Sequence, residues 1–192
     1  MKTISIIGTA GRGEDYDKMS YGLYVSMVRD AQNRLTEFCT TLECAIDDIC
    51  LVSGGAAFSD HISVSLYLMG FVKSLHLYLP AQLIASTGRF EQGNGSKDPG
   101  RVSNYHHDRF SAKMPGGRNT RLGILEAVSR GATIDVIPGF FQRNIPVSGS
   151  DAVIAYTWGD GAVPKDGGTK HTWDLAQTSH KTHIPLSSLT VS

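Results

Sequence analysis

The segment TISIIGTAGRG, residues 3–13, places a short β-branched and apolar run directly before a cluster of glycines. Residues 3–7 predict a buried β-strand, and Gly8 to Gly13 predict a tight loop after it. A helix is predicted over residues 21–46, because apolar side chains recur there at spacings of three and four. These side chains are Val28, Ala31, Leu35, Phe38, Leu42 and Ala45. The order strand, glycine turn, helix is the repeating unit of an α/β fold.

The same unit recurs downstream. Residues 49–52 predict a strand that ends at Ser53-Gly54-Gly55-Ala56, and residues 59–69 predict the helix that follows. Further strands are expected at residues 75–79, 133–137 and 152–156, with helices at 120–130 and from the third glycine turn, Gly167-Gly168-Thr169, to residue 177. Because helices separate most of the strands, we expect parallel pairing with right-handed crossovers. The prediction is one α/β domain over residues 1–192, with a Rossmann-like, doubly wound, mostly parallel sheet and helices on both faces. Residues 179–192 are too irregular to assign.

Composition limits the classes of partner. Lys and Arg total 18, as do Asp and Glu, so no global positive field favours a nucleic acid as the main partner. No apolar run approaches the length of about 18 residues that a membrane span needs, and the first apolar run is shorter than a signal peptide core. The three cysteines form no CxxC pair, which favours free thiols in the core and a reducing compartment. We therefore expect a cytoplasmic protein without a membrane partner.

The glycine turns indicate an anion site. A parallel strand, a glycine turn and a helix bring backbone N–H groups and the positive end of the helix dipole to one point. Glycine allows a phosphate to approach closely because it has no Cβ. Glycines also simply make turns, but three such turns after apolar strands favour a ligand site at one sheet edge. We expect Gly8, Gly54, Gly55, Gly167 and Gly168 to line one pocket.

Several motifs resemble a known superfamily in their order as well as in kind. Residues 53–61, SGGAAFSDH, resemble the SGGA turn of the DNA-processing protein A and "lonely guy" (LOG) superfamily, often called SLOG. Residues 141–154, FQRNIPVSGSDAVI, and the Gly167-Gly168-Thr169 turn resemble two further segments of that superfamily. Asp174 lies at the spacing of the LOG glutamate. The resemblance implies nucleotide binding, homo-oligomers and, for the LOG enzymes, phosphoribohydrolase chemistry.

The candidate site residues lie on or beside these turns. Arg12 and Arg143 could hold a phosphate through planar guanidinium donors, although both could equally be solvated surface residues. Trp158 could stack on a base or fill the core. Asp60 could serve the ribose or the dipole of its helix. The candidate ligand-binding residues are Gly8, Thr9, Arg12, Ser53, Gly54, Gly55, Arg143, Asn144, Gly167, Gly168, Thr169 and His171. The candidate catalytic residues are Asp174, Asp60 and His107.

Residues 86–118 show neither helical nor strand periodicity and are expected to form a long insertion loop. The cluster Tyr105-His106-His107-Asp108-Arg109 within it suggests a mobile lid over the ligand, and a surface insertion is the alternative. Adjacent histidines with one aspartate are too few ligands for a metal, so no metal and no cofactor are expected. His76 alternates with leucines on a strand and is interpreted as structural.

Two classes of function follow from these features. One is an enzyme that cleaves or transfers at the N-glycosidic bond of a nucleoside phosphate, where a carboxylate stabilises positive charge on the ribose. The other is a binding protein without catalysis that senses or sequesters a small nucleotide such as an ADP-ribose-like signal. Single-stranded DNA binding is a third class, which zero net charge disfavours.

Overall fold

The computed structural model describes residues 1–190 and has a parallel six-stranded sheet at its centre. The strands are β1 (Lys2–Gly8), β2 (Ile49–Ser53), β3 (Ser74–Leu79), β4 (Leu83–Ile84), β5 (Arg89–Phe90), β6 (Thr133–Val136), β7 (Ala152–Thr157) and β8 (Lys181–Pro185). The α-helices are α1 (Asp15–Lys18), α2 (Tyr21–Thr41), α3 (His61–Leu68), α4 (Pro99–Lys113), α5 (Thr120–Ser129), α6 (Phe140–Ser148) and α7 (Gly167–Leu175). Strands β4 and β5 form a separate antiparallel pair.

The strand order is β6-β3-β2-β1-β7-β8, and every pair in this sheet is parallel. The chain runs outward from β1 through β2 and β3 to β6, then returns to the other side of β1 for β7 and β8. The strand order therefore reverses between β1 and β7. In open α/β sheets, loops diverge at such a point and leave a crevice at the carboxyl ends of the strands.

Helices cover both faces of the sheet, which confirms the predicted Rossmann-like, doubly wound fold. On one face, α2, α3 and α5 pack against fully buried strand residues such as Ile6, Leu51 and Ile154. On the other face, Val147 of α6 and Trp173 of α7 pack against a smaller apolar cluster of strand residues. This cluster contains Ile7, Val52, Val153 and Ala155.

Local signals set the ends of α2. Ser20 Oγ accepts a hydrogen bond of 3.1 Å from Leu23 N and caps the start of the helix. The predicted end at residue 46 is wrong, because Glu43 adopts a φ of 52° and the helix stops at Thr41. Cys44 N then donates to Cys39 O at 3.0 Å, the pattern of a Schellman-type end. One residue in the left-handed conformation, Glu43, thus ends the helix although the apolar spacing continues to Ala45.

The predicted insertion loop over residues 86–118 is also wrong, because 15 of its residues form helix α4 and strand β5 lies before that helix. Asp98 caps α4 through Arg101 N, and Pro99 occupies the first turn. The buried side of α4 is largely polar, so the apolar spacing that normally indicates a helix does not occur in this segment. Asn104 illustrates this, since its side chain bonds both Phe90 N at 2.9 Å and Phe90 O at 2.8 Å.

Four smaller outcomes concern the unassigned segment, helix α6, the cysteines and the apolar character of the helices. The segment left unassigned contains β8 and a short 3-10 helix, Leu186–Leu189, while residues 191–192 lie outside the described part of the chain. Helix α6 was not predicted, because Pro146 lies inside it. All three cysteines are free thiols, and only Cys50 is fully buried. Among residues 1–190, no helix combines the length and apolar character that a bilayer crossing needs.

Gly8 provides the first test. A Cβ at this position would overlap the carbonyl oxygen of Tyr156 and lie 2.6 Å from Ser59 Cβ. We expect Gly8→Ala to lower the free energy of unfolding by about 3 kcal/mol, since the strands would have to separate. Gly22→Ala is the control, because its Cβ would meet only Ser20 Oγ at 3.9 Å. Urea denaturation should show the control unchanged or stabilised by up to about 1 kcal/mol; equal effects of both substitutions would contradict the close approach.

Candidate functional site

A cleft with a volume of about 360 Å³ opens at the point where the strand order reverses. It lies between the loops that follow β1 and β7 and the first turn of α7, and its volume is in the range of small-molecule sites. Most of the predicted site residues line this cleft. They are Gly8, Thr9, Arg12, Asp60, Arg143, Asn144, Trp158, Gly167, Gly168 and Thr169.

The first turn of α7 brings uncapped backbone N–H groups to the cleft. No side chain caps this helix, and its early N–H groups have no intrahelical acceptor. Gly167 adopts a φ of 72°, which lets the chain enter the helix beside the cleft. A Cβ on Gly167 would lie 3.8 Å from Arg12 Nη1, so the Arg12 guanidinium lies next to this turn. Lys165 lines the same cleft and adds a second positive charge.

Helix α6 is fixed against α7 through Asn144. Its Nδ2 donates to Gly168 O at 3.3 Å and lies 3.3 Å from His171 Nδ1. His171 itself packs edge-on against Phe141, with ring centroids 4.9 Å apart, and does not line the cleft. His171, which the sequence predicts to contact a ligand, therefore lies behind the cleft wall. It contacts Asn144, and Asn144 lines the cleft.

Arg143 and Asp60 form a nearly buried ion pair in the cleft wall. Arg143 Nη1 lies 3.3 Å from Asp60 Oδ2, and their side chains are 12% and 5% exposed. A Cβ on Gly54 would overlap the Arg143 guanidinium, so this glycine makes room for the arginine. Burial raises the pKa of Asp60 above its ordinary value, although the positive charge of Arg143 and the N–H of Ala56 oppose this shift.

The second glycine turn supports the cleft from behind. Ser53 Oγ donates to Asp60 O at 3.0 Å and accepts from Gly55 N at 3.3 Å. Gly55 O accepts a hydrogen bond of 3.1 Å from the His107 ring. The sequence predicts that Ser53, Gly54 and Gly55 line the cleft, but Ala56 and Ala57 line it instead. The turn positions Asp60 and leaves space for Arg143.

Two of the three predicted catalytic residues lie outside the cleft. His107 is fully buried and bonded to Thr120 Oγ1 at 2.9 Å and to Gly55 O, so it belongs to the scaffold and not to a lid. Asp174 faces solvent on α7 and pairs with Lys170 one turn earlier. Of the three candidate catalytic residues, Asp60 alone lines the cleft. Asp174 matches the spacing, but it follows Thr172, which lines the cleft, by two residues, or about 200° of helix rotation.

His106 is a cleft residue that the sequence placed in the predicted lid cluster but not among the candidate site residues. It follows Ser103 at helical spacing, and both line the cleft from α4. Burial is the main cause that lowers the pKa of His106 to about 4, and the charges of Arg12 and Arg109 add to this. Its Nδ1, Arg143 Nε and Trp158 Nε1 are buried without a hydrogen-bond partner in the described residues. Buried polar atoms are usually paired, so three such atoms without a partner in the described residues set this cleft apart from an ordinary core region. Helical periodicity in α4 would have indicated His106, had the helix been recognised.

The buried histidines generate a pH prediction. Burial is the main cause that lowers the pKa of His107 to about 4. Because its folded pKa is below the unfolded value of about 6.5, the stabilisation is present above pH 6.5 and lost as pH falls toward 4. We expect the wild-type free energy of unfolding to fall by about 1 kcal/mol more than that of His107→Gln between pH 6 and pH 5. Parallel pH profiles in urea denaturation would show instead that His107 is solvated.

Comparison with known proteins gives one similarity of note. No protein-family model and no solved structure matches the chain. The protein named "Uncharacterized protein R261" from Acanthamoeba polyphaga mimivirus is 32% identical over 187 residues. The alignment covers 96% of this chain and 96% of the viral protein. Because the similarity extends over nearly the full length of both chains, this chain belongs to the same family as the mimivirus protein R261.

Proposed function

We propose that the cleft binds a phosphorylated, nucleotide-like small molecule. One observation carries the proposal: the uncapped first turn of α7 lies beside the Arg12 guanidinium at the reversal point of the sheet. Backbone N–H groups and a guanidinium around one space are donors suited to phosphate oxygens. Lys165 also lines this end of the cleft, where Asp15 and Asp166 offset part of the positive charge. A phosphate would therefore bind between the loop after β1 and the start of α7.

The rest of the cleft suits a sugar and a base. Trp158 follows β7 and presents a half-buried indole whose Nε1 has no partner in the described residues. An aromatic ring of this kind can stack on a base. His106 and Asp60 supply polar groups on other walls of the cleft. The volume of about 360 Å³ is at the lower end of the range for small-molecule sites, which favours a mononucleotide or part of a larger nucleotide.

The SLOG resemblance is part of this proposal. Its support is that the three resembling segments, far apart in sequence, converge on one cleft. Arg143 and Asn144 from the second segment contact Asp60 of the first and Gly168 of the third. LOG-type chemistry has less support than nucleotide binding. Asp174, at the spacing of the LOG glutamate, pairs with Lys170 outside the cleft.

A second candidate function is cleavage or transfer at the N-glycosidic bond, and Asp60 is the observation that favours it. Its carboxyl lies in the cleft wall, and burial raises its pKa toward the range where it can exchange a proton. In its ionised form the same group would stabilise an oxocarbenium-like ribose. Binding without catalysis needs only the anion site and the closed walls, and a sensor of an ADP-ribose-like nucleotide is that alternative.

Gly168→Val tests the binding proposal. A Cβ at Gly168 would lie 3.8 Å from Asn144 Nδ2, so the fold should tolerate it while the side chain occupies the phosphate space. We expect AMP and ADP-ribose to raise the melting temperature of the wild type, and the variant to bind each at least about tenfold more weakly in calorimetry. Gly161→Val is the control, because it lies outside the cleft and its Cβ would meet only backbone at 3.6 Å or more. Equal affinities in wild type and Gly168→Val would contradict the site.

Asp60→Asn separates the enzyme from the sensor. Wild-type protein is incubated with a panel of nucleoside monophosphates and NAD-derived nucleotides, and free base is measured by chromatography. An enzyme should release base at least about a hundredfold faster than Asp60→Asn, since a positioned acid or base contributes about that much or more. Asp174→Asn is the matched control and should retain the wild-type rate. Ligand-induced stabilisation without base release would eliminate the enzyme and leave the sensor.

A further inference from the structure

A second cavity of about 600 Å³ lies on the helical face of the sheet, outside the cleft. It is a groove between α2 and α5, and α3 forms its floor because both helices pack against α3. Helix α3 is apolar on several sides and almost entirely buried up to Leu66. We call this cavity the helical groove. Two residues of α4 lie between the floor of the helical groove and the second glycine turn, namely His107 and Phe110.

The floor of the helical groove holds a polar group that the fold leaves unsatisfied. His61 lines the groove and is 6% exposed, and its Nδ1 is buried without a hydrogen-bond partner in the described residues. A Cβ on Gly123 would lie 3.3 Å from His61 Nε2, so this glycine lets α5 approach the ring. A buried ring nitrogen without a partner costs free energy unless a ligand or water reaches it.

The walls of the groove combine apolar and hydroxyl groups. Val25 and Leu68 line it, and Met69 is 63% exposed at one end. Tyr24 OH and Ser65 Oγ form a hydrogen bond of 2.7 Å with each other within the lining. Apolar side chains therefore line the walls beside an alkyl chain, although the lining also includes the polar residues Gln32, Asn119 and Thr120.

The rim of the groove is positively charged. It carries three arginines, Arg29, Arg118 and Arg130, against one acid, Glu126. Arg118 and Arg130 both pair with Glu126, at 3.6 Å and 2.6 Å. Arg29 forms no ion pair within residues 1–190. The rim therefore has two positive charges in excess, which favours an occupant with an anionic group.

We propose that the helical groove binds a medium-chain carboxylic acid. The carboxylate is held at Arg29 and Arg118 on the rim, and the alkyl chain lies against the apolar side chains of the walls. A second copy of this chain is the less favourable occupant, because a two-fold contact centred on the groove would bring two positively charged rims together. This proposal does not depend on the nucleotide cleft.

Isothermal titration of the full chain with decanoate and with 1-decanol tests the acid directly. We expect decanoate to bind at least about tenfold more tightly than 1-decanol, since only the acid can pair with the arginines. Arg29→Gln and Arg118→Gln should each reduce decanoate affinity about fivefold or more and leave decanol unaffected. Equal affinity for the acid and the alcohol, or no decanoate binding, would overturn the proposal.

A filling variant locates the binding. Val25→Trp places a large ring in the groove from a half-buried position on α2 and should abolish decanoate binding. Val128→Trp is the control on the outer surface of α5, since Val128 does not line the groove. Gly168→Val should bind decanoate normally, which keeps this test separate from that of the cleft. Self-association in sedimentation that Val25→Trp removes, together with no decanoate binding in the wild type, would assign the groove to a second copy instead.

Discussion

The close approach of the backbone at Gly8 to the carbonyl of Tyr156 is the constraint on which the candidate site depends. Strands β1 and β7 are neighbours in the sheet yet far apart in sequence, and their ends meet where there is no room for a Cβ. Thr9 N continues the contact by donating to Tyr156 O at 2.9 Å, and Ser59 N donates to Thr9 O at 3.3 Å. The first glycine turn is thereby tied to β7 and to the start of α3. The cleft opens beside this junction because the strand order reverses there.

The remaining walls of the cleft depend on contacts between segments that are distant in sequence. Gly54 leaves space for the guanidinium of Arg143, and that guanidinium pairs with Asp60 in a place that water hardly reaches. A pair of this kind positions groups more than it stabilises the fold, because the loss of hydration offsets much of the attraction. Asn144 then connects α6 to the first turn of α7. The cleft is thus lined by loop ends that contacts between distant segments hold together.

Strands and helices whose apolar residues recur at a regular spacing were predicted from the sequence. Elements whose buried side is polar were not. Strands β1, β2, β3 and β7 and helix α2 follow from alternating or helical apolar spacing, and so does the doubly wound class. Helix α4 was not predicted, because its buried residues at helical spacing include the polar Asn104, His107 and Ser111, which form hydrogen bonds there. Its recognition would have moved His107 from a lid to the scaffold and pointed to His106. For the site, the turns and Asp60 were identified, whereas Asp174 required knowledge of which side of α7 faces the cleft. Homo-oligomerisation, nucleotide specificity and the cytoplasmic location stay predictions.

The measurement that tests the nucleotide cleft most directly is amide chemical-shift mapping of the ¹⁵N-labelled protein during titration with ADP-ribose. We expect the largest shift changes at the amides of Gly168 and Thr169 and in the loop from Gly8 to Arg12, which border the same space. We also expect a change at the Trp158 indole N–H, whose nitrogen has no partner in the described residues. Gly123, in the helical groove, should be unaffected. Unchanged amides at Gly168 and Thr169 at saturating ADP-ribose and at saturating AMP would contradict the assignment of this cleft to a phosphorylated nucleotide.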